Sequence, residues 1–251
     1  MIDLGTNGEL LLKANGGFYA TSCATGPAFE GASLSCGIQA IPGAVNKVQI
    51  KDQKALPEYT LINSSKSSWP KPFGICGTSV ISAIAQFCEK DIIEPGGAFK
   101  KDIVISALKN DSSGKTQYNI VPEDSSQNGS DVFINQKDIR SVQLGKAALI
   151  TGIEFLLEEA GIDEPKKIIV AGAFGSFLDK EDMMTLGMIP AMDITKIEPA
   201  GNLAGVGAVM TLCDDKYLEK AINMAEQIKV VDFACDHDFQ TTFVQRLSFP
   251  L

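Results

Sequence analysis

The chain has 251 residues, 45% of them apolar and 21% charged, the balance of an ordinary globular protein with room for one large α/β unit or two subdomains. Its 31 acidic residues against 22 basic ones give a net charge of −9, which excludes the basic footprint needed for nucleic acid or an anionic membrane surface. No run approaches the roughly 18 apolar residues of a membrane span, and no basic stretch followed by an apolar one opens the chain, so the cytoplasm is the expected compartment.

The first ten residues, MIDLGTNGEL, read as a short strand, a glycine-rich turn and a second strand, with Asn7-Gly8 as the hairpin signal. A strand that begins at Met1 itself suggests a chain cut from something longer. A third strand is expected over 17–24, and a short helix over 28–38 after Pro27. Strands follow at 45–51 and 59–63, then a Ser-, Lys- and Pro-rich loop over 63–74. Residues 78–89 carry a broad apolar face and read as a buried helix. Two polar turns, KNDSSGK and EDSSQNGS, break 102–134 into a β-meander on the periphery. A long helix is expected over 137–161, with Asp138 as N-cap and Gly161 as the stop. The small residues in its middle, LGKAALITG, predict a close-packed neighbour. Beyond it, strands at 167–171, 194–198 and 229–233 alternate with helices at 180–186, 202–213, 215–227 and 238–247. That alternation favours a partly parallel sheet.

Four glycine-rich turns are candidates for chemistry. In Asp3-Leu4-Gly5-Thr6-Asn7-Gly8, a carboxylate at a strand end can hold a hydrated Mg²⁺, and the glycines let backbone N–H groups close on a phosphate. In Gly172-Ala173-Phe174-Gly175-Ser176, residues without a side chain let a flat ring or a ribose lie against the backbone. The turn at 74–79 opens a helix, where an anion is favoured, and so does the turn at 201–207, for which tight helix packing is the expectation. Taken alone, the first of these turns reads more simply as an ordinary hairpin turn with a surface Asn-Gly, and the other three as close packing. The six cysteines stand at 23, 36, 76, 88, 213 and 235, with no pair two or four apart, so reduced and mostly buried thiols are expected rather than a zinc site or an iron–sulfur cluster. His237, the only histidine, sits in a segment that reads as a helix cap.

Taken in order, IDLGTNGE, ATGPAFEGA with GIQAIPGAV, PFGICGTSVISAIAQF, SVQLGKAALITGIEFLL, IIVAGAFGSFL and VDFACDHDFQTTFVQRLSFP resemble the C-terminal ATPase region of the reductive activators of corrinoid proteins. These belong to the acetate and sugar kinase, heat-shock chaperone and actin superfamily. The resemblance runs from residue 2 to 250 and is weakest over 100–130. It implies an actin-like (ribonuclease H-like) α/β fold, a mixed sheet flanked by helices with a peripheral β-rich insertion around 100–135. It also implies ATP and Mg²⁺ as cofactors and a corrinoid protein as partner, with a second copy of the chain as a further candidate. Gly5, Thr6, Asn7 and Gly8 match the second phosphate loop, with Asp3 as the catalytic residue that holds Mg²⁺ through water. Gly172, Ala173, Gly175 and Ser176 match the adenosine motif, and the helix around Gly145–Gly152 matches the one that connects the two halves.

The family's first phosphate loop and its ferredoxin domain have no counterpart here, so the chain is expected to be the C-terminal half of a larger actin-like ATPase, inactive when alone. A docking or dimerisation module that ignores ATP, and a small-molecule kinase of the same superfamily, are the alternative functions.

Overall fold

The computed structural model describes residues 1–62, 71–172, 174–233 and 236–250, apart from the side chain of Ser176. Expectations that fall on 63–70, Ala173, Ala234, Cys235 and Leu251 lie outside the described residues. The largest sheet is built first from the N-terminus. Strand β1 (Ile2–Leu4) turns through Gly5–Asn7 into β2 (Gly8–Ala14), which pairs antiparallel with β3 (Gly17–Cys23). The two-residue turn between β2 and β3 is Asn15-Gly16, both at positive φ, the backbone that matches strand twist. Asn7-Gly8 plays a different part from that expected: Gly8 already belongs to β2, opposite Leu4.

A long excursion then leaves the sheet. Its first segment is not the expected helix over 28–38 but a single 3-10 turn, Pro27–Glu30, stopped by Gly31 at φ +82°. Beyond it the chain folds back: the Ile38 N–H donates to Ile75 O, and the Ile75 N–H donates to Cys36 O. A small sheet of β4 (Ala44–Gln49), β5 (Glu58–Leu61) and β6 (Gly74–Ile75) packs on helix α1 (Gly77–Glu89). The expected β-meander is present as β7 (Leu108–Asn110), β8 (Thr116–Val121) and β9 (Val132–Asn135). Its Tyr118, Ile120 and Ile134 side chains are fully buried, and Tyr118 lies 4.6 Å from the ring of Phe87 on α1.

The chain returns through α2 (Gln136–Glu159), which lies against β2 and β3. Its N-cap is Asn135 rather than Asp138. The Asn135 side chain accepts from the backbone of Lys137 and Asp138, and Asp138 reaches back to the Asn135 N–H, a capping box. The small residues have the expected close neighbour: a Cβ at Gly152 would stand 2.2 Å from Cys23 Sγ, and one at Gly145 would stand 2.6 Å from the Thr25 carbonyl. Gly161, at φ +65°, ends the segment as expected.

Strand β10 (Ile168–Ala171) enters the sheet parallel to β1, followed by α3 (Lys180–Thr185) and β11 (Ile197–Gly201). Helices α4 (Leu203–Cys213) and α5 (Asp215–Ala225) form a hairpin, β12 (Ile228–Val230) closes the far edge parallel to β3, and α6 (His237–Gln245) packs on α2. The sheet order is β11-β10-β1-β2-β3-β12. Asp236 caps α6, the capping role expected of the segment around His237. The tail returns to α2, where Gln143 Nε2 donates to Leu247 O at 2.8 Å and the buried amine of Lys146 donates to Ser248 O at 2.5 Å.

The tight packing expected of α4 is absent. The helix has no charged residue, yet none of its side chains is buried, and Leu212 is 86% exposed. Cys213 at its end is exposed, whereas Cys23, Cys76 and Cys88 are buried, so the described thiols are mostly buried as expected. No helix among the described residues is long and apolar enough to cross a membrane.

Two measurements check this architecture. A Cβ at Gly77 would fall 1.6 Å from the Phe29 carbonyl oxygen, so Gly77→Ala should cost about 3 kcal/mol or more in a denaturant melt. Leu212→Gln, on open surface, should change stability by less than about 0.5 kcal/mol. The second check is pH. Burial lowers the Lys146 amine from 10.5 to about 8, so the folded chain binds fewer protons than the unfolded chain above pH 8, and stability rises there with pH. Burial raises the thiols of Cys23 and Cys88 from 9.0 to about 12, which has the opposite sign and takes stability away above pH 9. Stability should therefore climb only slightly, by about 0.3 kcal/mol, between pH 8 and 9, where the lysine gain of about 1 kcal/mol is mostly offset by the two thiols, and decline beyond. Lys146→Met should remove the climb and leave the decline.

Candidate functional site

Strands β1 and β10 run parallel, with Ile2 opposite Val170 and Asp3 opposite Ala171. Their carboxyl ends therefore stand side by side, and both glycine turns leave from the same edge of the sheet, where open α/β sheets bind ligands. The two turns touch. Gly172 has φ +94°, and a Cβ there would lie 2.5 Å from Leu4 O and 2.6 Å from Asp3 Oδ1, so only glycine fits. Gly175 packs on Val170 and Leu4 in the same way. Phe174, between them, stacks on Phe29 with ring centroids 6.0 Å apart and planes 6° from parallel.

The Gly5–Gly8 loop is held from outside by two residues. The hydroxyl of Thr25 lies 3.2 Å from Gly5 O and 3.0 Å from Thr6 O, donating to the loop backbone. Thr6 Oγ1 in turn donates to Glu30 Oε1 at 2.6 Å. Thr6 and Asn7 are exposed, Gly8 is buried against Thr25 and Leu149, and Asp3 is half-buried beside Gly172. Asp3 forms none of the ion pairs among the described residues. Its carboxylate thus has lone pairs left for a hydrated cation, and one carboxylate plus several waters is a coordination Mg²⁺ commonly accepts. Among the described residues no cluster of three or more His, Cys, Asp or Glu side chains is placed to hold a metal.

Next to this loop opens a cleft of about 800 Å³, a size suited to a small-molecule ligand. Asp3, Gly5–Gly8, Gly172 and Gly175 do not line it. Glu30 does, and it joins the cleft to the loop through Thr6. The aromatic wall is Phe29, Phe174 and Phe177; the polar edge includes Asn46, Lys47, Asp179 and Asp182. Lys47 Nζ donates to Asp179 Oδ2 at 2.8 Å, bridging β4 to the start of α3 across the cleft mouth. Asp179 also caps α3 by accepting from the Glu181 N–H. Burial pushes the carboxyl of Asp182 up to about 6, with the charge of Asp179 adding and that of Lys47 opposing.

The turn at 74–79 contributes packing. Gly77 lies against Phe29 and Phe174, the helix N-cap position is Cys76 without a side-chain cap, and Thr78 Oγ1 donates to Asn46 O. Gly201 accepts from the Gly172 N–H, which ties the turn at 201–207 to the site by its first residue only. Ala173 and the side chain of Ser176 lie outside what is described. Reading the sequence alone missed Glu30, Lys47, Asp179 and Asp182. An Asp just before a helical run is a legible N-cap signal for Asp179. Nothing local marks the other three, which reach the cleft from elements 24 to 132 residues away from their partners.

A family profile described as the C-terminal domain of RACo, the ASKHA domain, matches residues 1–251. The chain is 33% identical over 257 residues to the corrinoid activation enzyme RamQ of Eubacterium limosum, covering 99% of this chain and 42% of that protein. It is 26% identical to the [Co(II) methylated amine-specific corrinoid protein] reductase of Methanosarcina barkeri, covering 98% and 45%. The solved structure of a reductive activator for a corrinoid, iron–sulfur protein superposes with a TM-score of 0.88 at 27% identity, over 99% of this chain and 39% of that one. The chain thus spans less than half the length of these relatives. The family match over the whole chain leads to one conclusion: the chain belongs to the family of the C-terminal ASKHA, actin-like domain of reductive activators of corrinoid proteins.

Proposed function

We propose that the chain is the ATP-binding part of an ATP-dependent reductive activator of corrinoid proteins. The observation that carries this reading is the parallel pairing of β1 with β10, which sets two ligand-compatible glycine turns side by side next to an aromatic-walled cleft. In this reading the phosphates lie over Gly5–Gly8, where Thr6 and Asn7 offer donors, and the base enters the cleft past Glu30. Gly172 and Gly175 bring backbone close to the ribose. Asp3 orients water around Mg²⁺, which neutralises phosphate charge when bound. Lys47 and Asp179 fasten the small sheet to α3, so that both walls of the cleft hold one spacing.

An actin-like cleft grips nucleotide from two sides, and this chain supplies one. The corrinoid protein as partner, and the use of nucleotide energy to drive its reduction, come from the relatives' names and belong to the proposal. A second reading is a docking or self-association role, favoured by the uncharged, exposed face of α4.

Calorimetric titration of the chain with Mg-ATP tests the first reading. We expect a dissociation constant of about 1 mM, close to −4 kcal/mol. Asp3→Ala should weaken Mg-ATP binding severalfold while leaving Mg-free ATP binding unchanged. Gly172→Val should remove both. No interaction at 10-fold higher nucleotide, together with concentration-dependent association in sedimentation, would move the assignment to the docking role.

A further inference from the structure

Asp182 is not used by the phosphate loop, yet it is the most enclosed charged group of the cleft, with 8% of its surface exposed. Ser82, which lines the same cleft, has its hydroxyl turned to the backbone of Val48, 3.0 Å from Val48 O and 3.3 Å from Val48 N. One hydroxyl proton cannot serve both the carboxylate and the Val48 carbonyl. The amine that would neutralise it, Lys47, is held by Asp179. A buried carboxylate that is ionised at neutral pH only accepts hydrogen bonds, and it is costly to leave short of donors. The same cleft is lined by Phe29 and Phe174, stacked on each other, and by Phe177, which is 78% exposed. Aromatic rings and a buried carboxylate short of donors in one cleft suit a flat heterocycle that carries an amino group on its edge.

We propose that Asp182 reads the exocyclic amino group of the base, making the cleft selective for 6-aminopurines over 6-oxopurines. The inference rests on the nucleotide reading above and extends it to the identity of the base. A 6-oxo group turns an acceptor toward the carboxylate, and the buried pair of acceptors repels. A site built to accept from an N–H rejects a ligand that lacks it more strongly than an apolar slot rejects a changed shape. Asp182 is the specificity-determining residue, and the Phe29–Phe174 stack supplies affinity shared by all purines.

The test is an amide-shift NMR titration of the 251-residue chain with AMP, IMP and purine riboside 5′-monophosphate, which has no substituent at position 6. We expect AMP to bind roughly tenfold or more tighter than either of the others. In Asp182→Asn, whose amide both donates and accepts, the AMP-to-IMP ratio should fall to about 1. A purely structural role through Ser82 predicts a lower melting temperature with the ratio intact, and that result overturns the proposal while sparing the nucleotide reading. Equal binding of AMP and purine riboside monophosphate by the unmodified chain overturns it without needing a variant that folds. Failure of all three nucleotides to bind overturns both.

Discussion

The parallel contact between two short strands, β1 and β10, organises this molecule. Only Ile2 to Leu4 and Ile168 to Ala171 are involved, but they bring residues 3 and 172 into van der Waals reach across more than half the chain. Everything in the candidate site is referenced to that contact. Gly172 must be glycine because Asp3 and Leu4 occupy the space of its side chain. Phe174 can stack on Phe29 only because the turn that carries it leaves the sheet beside the first turn. A parallel pair needs a long crossover, and here the crossover is the whole excursion from Thr25 to α2, which returns to build the other wall of the cleft.

The returning helix makes that wall stable. Helix α2 carries glycines where β3 and the Thr25 loop approach it, and it also buries Asp138, Gln143, Lys146 and Thr151. Buried polar groups cost unless they are bonded, and three of these four are spent on holding other parts of the chain. Asp138 takes the Ser35 and Asn135 N–H groups, while Gln143 and Lys146 take the carbonyls of the C-terminal tail. The helix therefore joins the excursion, the main sheet and the tail through bonds that have geometry, beyond the non-directional packing of its apolar face. Displacement of the helix would be felt at all three, which suits an element that lies between the cleft and the rest of the domain.

The α4–α5 hairpin is open to solvent. Helix α4 is apolar through its length and α5 is amphipathic, but neither contributes a buried residue. Their mutual contact covers one side of each and leaves Val209, Leu212 and Ile222 more than half exposed. Isolated exposed apolar residues are ordinary; a helix without a single charge is not. The relatives that match this chain are more than twice as long as the part it aligns with, so the domain's surroundings in those proteins include far more chain than is present here.

The sequence by itself determined the local structure: the strand–turn–strand opening, the helix over Gly77–Glu89, the three-stranded meander, the long small-residue helix and the capped helices that follow β10. Periodicity, glycine and capping side chains act within a few residues of themselves, and so does the Asp3–Gly8 motif. The order of such motifs was enough to place the family. Other features were settled only by the tertiary structure. The segment after Pro27 became a single 3-10 turn because Gly31 passes against the backbone of Ile38, whose N–H donates to Ile75 O. Asn135 displaced Asp138 as cap because Asp138 was drawn into bonds with Ser35 and Asn135. The cleft itself, with Glu30 on Thr6, Lys47 on Asp179 and Asp182 beneath them, is assembled from residues far apart in the chain. No local pattern encodes such contacts, because their free energy exists only once the parallel strands have closed the loop between them.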